Sequence, residues 1–214
     1  MLLYLVRHGQ TYLNKYGKMQ GWSDAPLTSD GQKMAIECGQ KLKNISFSAV
    51  YSSDFGRTIS TAKLIMAESS KNLPKLKILP EFRETFFGSF EGELADKAWL
   101  SVAQYAGFSS VEQLWHSTLI DATMNFFHDA DQAKDADNYE TFWSRLQKGL
   151  DYLNGHHEKS DKVLLVTHGN VIRNIAYHFD KSIDCGEELF NSGITIIQLN
   201  GFNGKIVSYN QSDL

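Results

Sequence analysis

Two apolar runs in this chain end in the same way, LVRHG at residues 5–9 and LVTHG at residues 165–169. Each has the look of a buried strand that stops on polar residues, and in open α/β sheets ligands bind beyond the carboxyl ends of such strands. His8 and His168 therefore face one crevice in this reading, although 160 residues separate them. A third run, YSSDFGR at residues 51–57, ends a strand and opens a helix, which brings Arg57 to the same rim beside a helix N-terminus that favours anions. Arg7, His8, Arg57 and His168 make two guanidinium and two imidazole groups with no carboxylate pair beside them. Such a set repels metal cations and attracts a phosphate dianion. An isolated histidine at a strand end is usually only a hydrogen-bonded core residue, and a lone arginine a surface one. Their joint placement, each beside Gly or Ser, is what raises them above coincidence.

The elements that would hold these residues alternate. Strands are read at 2–6, 47–53 and 162–166, with an edge strand near Lys77–Leu79 between Pro74 and Pro80. Helices are expected from Thr28 to about residue 44, with Met34, Ala35, Cys38 and Leu42 inward, and after Asp54, with Ile59, Ala62, Ile65 and Met66 inward. Tyr139, Phe142, Leu146, Leu150 and Leu153 recur at helical spacing. Another helix follows His168, with Val171, Ile172, Ile175 and Phe179 inward. ITIIQL and KIVSYN, flanking NGFNG, read as a terminal hairpin. The fold expected is α/β: a three-layer αβα sandwich with a mixed, mostly parallel sheet. Residues 1–214 read as one domain, with a Trp-, Phe- and Ala-rich insertion at about 91–137 folding as two or three short helices over the active site.

Composition narrows the function. The 214 residues carry a net charge of −4, which disfavours a dedicated nucleic-acid binder. No apolar run approaches bilayer-spanning length, so no membrane association is expected. Two isolated cysteines, Cys38 and Cys185, form neither a disulfide framework nor a zinc site. With no leader segment ahead of the first strand, the expected location is cytoplasmic. The acidic stretch DADQAKDADNYE has Ala133 and Lys134 where a calcium loop needs an oxygen ligand and a Gly, so it is rejected as one. His156 and His157, in NGHHEKSDK, are expected to face solvent.

At this point a resemblance is specific enough to name. RHGQTYLN, QGWSDAPLTSDG, SSDFGRTISTA, FRETFFGSFEG and VTHGNVIR occur in the order, and with the content, of the motifs of the histidine phosphatase superfamily, the phosphoglycerate-mutase-like group. The resemblance spans residues 2 to about 175. It implies that His8 is the nucleophile that takes up the phosphoryl group, that Arg7 and Arg57 clamp its oxygens, and that His168 donates a further charge-assisted bond. It makes Glu84, four residues before Gly88, the proton donor, with Glu81 and Glu91 as competitors in the same segment. Asn14, Gln20 and Gly21 fall at positions that line the substrate pocket. Gln10 stands where many relatives have Glu. No metal and no cofactor are implied, since the cationic ring neutralises the charge that Mg²⁺ neutralises elsewhere.

The superfamily holds phosphatases and mutases. Mutases carry an insertion rich in Arg and Pro, whereas residues 91–137 here contain neither, leaving Lys97 and Lys134 as the insertion's cations. The expectation is thus a phosphatase acting on a small phosphorylated metabolite, with a partly apolar leaving group hinted at by the insertion's Trp and Phe residues. A phosphoglycerate mutase and a catalytically silent phospho-ligand or protein binder are the alternatives, and a metal-dependent hydrolase is disfavoured by the missing carboxylate ligands.

Overall fold

The computed structural model describes residues 1–184, 186 and 188–212, so Cys185 lies outside the described residues. Six strands form one sheet in the order β3-β2-β4-β1-β5-β6: β1 Leu2–Arg7, β2 Ala49–Ser52, β3 Lys77–Ile78, β4 Lys162–Thr167, β5 Ile194–Asn200 and β6 Asn203–Gln211. The β3-β2, β2-β4 and β4-β1 pairs are parallel, whereas β1-β5 and β5-β6 are antiparallel. The sheet is mixed and mostly parallel, as the alternation of elements requires.

The side-chain period of two divides each central strand between two cores. Leu3, Leu5, Val163 and Leu165 pack into one with Phe142, Leu146, Ile172 and Ile175. Tyr4, Val6, Leu164 and Val166 pack into the other with Cys38, Leu42, Ala62 and Ile65. The first core is covered by α7 (Tyr139–His156) and α8 (Gly169–Phe179), and the second by α2 (Ser29–Leu42) and α3 (Gly56–Ala67). Thr28 caps α2 by accepting a hydrogen bond from the Gly31 N–H, the usual use of a hydroxyl at that position. Cys38 is buried in this layer as a free thiol, with burial pushing its pKa up to about 12.

Between β3 and α7 lie α4 (Ala95–Tyr105), α5 (Val111–Ser117) and α6 (Ile120–Ala130). They gather a third apolar cluster in which Val102, Leu114 and Phe127 meet Met19 and Phe87 from outside the helices. A short helix that the sequence pattern did not reveal, α1 (Tyr12–Lys15), is built by the reciprocal capping of Thr11 and Asn14 rather than by apolar periodicity.

Two local expectations are corrected. Met34, Ile59 and Met66 are only half-buried, and in α3 the buried face instead includes Arg57, Thr58 and Thr61. The first turns of α3 point at the polar strand ends, so hydrophobic spacing does not describe them. His157 does not face solvent: its ring packs on Tyr51, whose hydroxyl lies 2.9 Å from Nε2. The acidic stretch uses its central carboxylate internally, since Asp131 accepts from Ser89 Oγ and from the N–H groups of Ala133, Asp135 and Ala136. Among the described residues no helix is long and apolar enough to cross a membrane.

Candidate active site

Because β1 pairs with β4 and β4 with β2, all in parallel, the chain leaves three adjacent strands on the same edge of the sheet. Arg7 lies opposite Thr167, and Ser52 opposite Val166. The residues following each strand end must therefore converge.

His8 is 3% exposed. Its Nδ1 lies 2.9 Å from the Gly9 carbonyl, which can only accept, so Nδ1 carries the proton and Nε2 presents a lone pair. Burial, and then the charges of Arg57 and Arg7, hold the ring well below the ordinary histidine value of 6.5. The turn that sets this geometry needs glycine. A Cβ on Gly9 would stand 2.4 Å from the Gly31 carbonyl oxygen, and the Gly9 N–H donates to Thr61 Oγ1 on α3.

Arg57 has a fully buried side chain held from four sides. It donates to the carbonyls of Gly21 (2.6 Å) and Ser23 (3.0 Å), to Asp24 (3.1 Å) and to His168 Nδ1 (3.1 Å). A guanidinium cannot accept, so His168 Nδ1 is the unprotonated nitrogen and Nε2–H donates to Ser53 Oγ at 2.8 Å. His168 is thus a neutral ring. Burial and the nearby Arg57 charge keep its pKa well below 6.5. The two histidine rings lie 5.3 Å apart, edge to face. Arg7 donates to the Leu189 carbonyl and stands 3.8 Å from the Glu188 carboxylate. The Nε–H groups of Arg7 and Arg57 are buried with no acceptor among the described residues.

Glu84 completes the group. Its carboxylate accepts from the Thr85 N–H (2.9 Å) and from the Asn170 N–H in the first turn of α8 (3.1 Å). A Cβ on Gly169 would sit 3.6 Å from Arg7 Nε and 3.9 Å from Glu84 Oε2, so the acid and the first arginine share one corner. Burial raises the Glu84 pKa above 4.5, outweighing the two N–H groups and the charges of Arg57 and Arg7. The raised value thus belongs to the protein itself and needs no neighbouring anion. Of the three acids in this segment only Glu84 lines the cavity described below. Glu81 lies against Gly149 of α7, and Glu91 is consumed by backbone, accepting from the N–H groups of Gly21, Trp22, Ser23 and Phe87.

Arg7 and Glu84 line a cavity of about 450 Å³, whose walls also include Asn14, Gln20 and Asn170 and the aromatic Trp99, Trp115 and Phe127. His8, Arg57 and His168 are buried and are not among the residues that line it. Asn14 is partly engaged in capping α1, and Gln20 accepts from Thr11 Oγ1 at 2.6 Å while its Nε2 is buried with no partner. Gly21 does not line the cavity. Its N–H is taken by Glu91 and its carbonyl by Arg57, and a Cβ would meet the Thr85 carbonyl at 2.0 Å. It is a close-packed support for Arg57.

Sequence reasoning missed the supports. Arg145 of α7 donates to the carbonyls of Glu81, Arg83 and Glu84 and to Asp137, which in turn accepts from the Phe86 N–H. One guanidinium thus holds the backbone carrying the acid. Its only signal in sequence is an arginine beside Leu146 on an otherwise apolar stripe. Asp24 and Glu91, which fix Arg57 and its loop, have no such signal.

A fold of this topology with paired histidines and arginines at the strand ends defines a phosphoryl-transfer class. The model of the histidine phosphatase superfamily (branch 1) matches residues 3–212, and the chain belongs to that superfamily. It is similar to a solved phosphoglycerate mutase from Bacillus anthracis str. Sterne, with 34% identity and a TM-score of 0.94 over 99% of this chain and 93% of that one. It is 28% identical over 199 residues to phosphoglycerate mutase-like protein 4 of Arabidopsis thaliana, covering 91% of this chain and 78% of that protein. An alpha-ribazole phosphatase from Shigella flexneri shares the fold at a TM-score of 0.75 and 23% identity, covering 100% of this chain and 98% of that one. Proteins named mutases thus stand among its relatives, and a phosphatase among the structures that share its fold.

Proposed function

We propose that the protein is a metal-independent phosphatase that hydrolyses a phosphomonoester through a phosphohistidine on His8. The observation that carries this reading is the tautomer of His8. With the proton fixed on Nδ1 by Gly9, the Nε2 lone pair is directed and uncharged, beside two arginines that each keep a buried N–H without an acceptor among the described residues. Oxygens of a phosphoryl group are the acceptors such donors suit.

In the first step Nε2 attacks phosphorus, a P–N bond forms, and the bond to the ester oxygen breaks as Glu84 gives that oxygen its proton. The alcohol leaves. In the second step water attacks phosphorus, Glu84 takes its proton, and the P–N electron pair returns to Nε2 with release of orthophosphate. Arg7 and Arg57 neutralise the equatorial oxygens in both steps. His168, neutral and accepting from Arg57 through Nδ1, positions that guanidinium for the phosphoryl oxygens. Helices α4–α6 form the cap of the same domain and exclude bulk water.

The test is hydrolysis of p-nitrophenyl phosphate in the presence of EDTA by wild type and His8→Ala. The expected result is EDTA-resistant turnover in wild type and less than about 1% of it in the variant, with unchanged circular dichroism. Retained turnover in the variant rejects the role of His8.

A second reading is favoured by one observation, the 34% identity to a structure titled phosphoglycerate mutase. Transfer of the phosphoryl group between the carbons of phosphoglycerate, faster than release of phosphate, would select it.

A further inference from the structure

From the cavity walls we infer that the leaving group is bulky and aromatic or otherwise largely apolar, and that Trp99 and Trp115 select it. The inference rests on the phosphatase reading above and names the substrate class of that site.

The volume sets the scale. About 450 Å³ lies within the range of pockets that enclose a small organic molecule, roughly 300–1,000 Å³, and the phosphoryl group takes only the end at Arg7 and Glu84. Beyond that end the wall changes character. Phe87, Phe127, Trp99 and Trp115 line it and touch one another in that order, and Met124 lines it too. Trp99 stands edge-on to Trp115 at 5.5 Å and to Phe127 at 4.8 Å. The series runs from a buried Phe127 (2% exposed) to an open Trp115 (47% exposed), so apolar surface extends from the cap's interior to the mouth. Covering it with an apolar group removes that surface from water.

Charge argues in the same direction. With Glu84 protonated and Arg7 taken by the phosphoryl group, the other charged residues described in the lining are Lys18 and Arg173, balanced by Asp96 and Glu188. Lys18 is already committed to the Gly92 carbonyl at 2.8 Å. Lys97 and Lys134, the insertion's own cations, are absent from the described lining. A second anionic group would thus find no excess of positive charge there, whereas an aromatic ring would meet the aromatic side chains of the lining.

The test compares esters of primary alcohols, so that the leaving oxygen has nearly the same basicity in each. Purified full-length protein is assayed with 2-(1-naphthyl)ethyl phosphate, ethyl phosphate and 3-phosphoglycerate. The expected kcat/KM is about tenfold or more higher for the naphthyl ester than for ethyl phosphate, chiefly through KM. Trp115→Ala, at an exposed position, is expected to lower the naphthyl-to-ethyl ratio about tenfold, and Trp115→Phe to restore most of it. Equal or better efficiency with ethyl phosphate or 3-phosphoglycerate overturns the inference and leaves the phosphatase reading standing. A ratio unmoved by Trp115→Ala and Trp99→Ala overturns the assignment of the selecting residues. Release of phosphate from none of the esters overturns the phosphatase reading itself, and this inference with it.

Discussion

At the residue scale, opposite demands are placed on two titratable groups. His8 must be uncharged to attack, and Glu84 must be protonated to help the alcohol leave. Burial meets both, because desolvation disfavours the charged form of each: it lowers the imidazole and raises the carboxyl. Activity should therefore persist to acid of pH 6.5 and decline on the alkaline side as pH rises through the raised Glu84 value. Glu84→Gln should lower kcat/KM, which reports the steps up to alcohol release, by about 10²–10⁴ for alkyl phosphates, whose oxyanions are poor leaving groups, and far less for p-nitrophenyl phosphate. Steady-state rates over a series of leaving groups give the comparison, and an equal loss across the series contradicts proton donation. Sequence motifs disclosed the types and order of His8, Glu84, Arg57 and His168. They could not disclose protonation, because the Gly9 carbonyl, the Arg57 guanidinium and Ser53 decide it through contacts made only in the folded chain.

At the element scale, the acid is held by a helix it does not belong to. Arg145 on α7 ties down three successive stretches of carbonyl-bearing backbone around Glu84, and Asp137 fixes the guanidinium. Arg145→Met should keep the apolar stem but leave buried carbonyls unpaired, costing about 1–3 kcal/mol of stability. It should also depress turnover of alkyl phosphates more than that of p-nitrophenyl phosphate, since the acid loses its position rather than its chemistry. Denaturant midpoints and the two rates check this, and an undiminished ratio argues against a positioning role. The strands and long helices were legible because their periodicity reports burial directly. Arg145, Asp24 and Glu91 were not, because most of their partners are backbone groups 32 to 70 residues away. The inward face of α3 was misjudged for a related reason: its first turns serve the site rather than the core.

At the scale of the whole molecule, the parallel core of the sheet does the assembling. Three strand ends arrive side by side, and a second layer from residues 82–92 delivers the acid across the crevice. The alternation of elements made this α/β arrangement readable from sequence, whereas the cavity's shape depends on how α4–α6 pack on Met19 and Phe87, which no local pattern encodes. Burying two neutral histidines also leaves a global trace. His8 and His168 have folded pKa values depressed below 6.5, so below that value the unfolded chain binds more protons. Their contribution to stability is therefore lost as pH falls through 6.5 toward the folded values. Glu84 acts in reverse: its raised folded value stabilises the native state at low pH, an effect lost as pH rises from 4.5 to that value. The stability difference between wild type and His168→Gln should thus shift in favour of the variant as pH falls from 7.5 to 5. Thermal midpoints measured across that range test it, and a pH-independent difference contradicts a buried neutral ring.

The most direct measurement is to mix the protein with a ³²P-labelled phosphomonoester, quench within the first turnover at alkaline pH, and digest. The account predicts one labelled peptide containing His8, with a phosphoryl bond stable to base and lost in mild acid. Turnover without labelled protein at any time, or label on another residue, contradicts it.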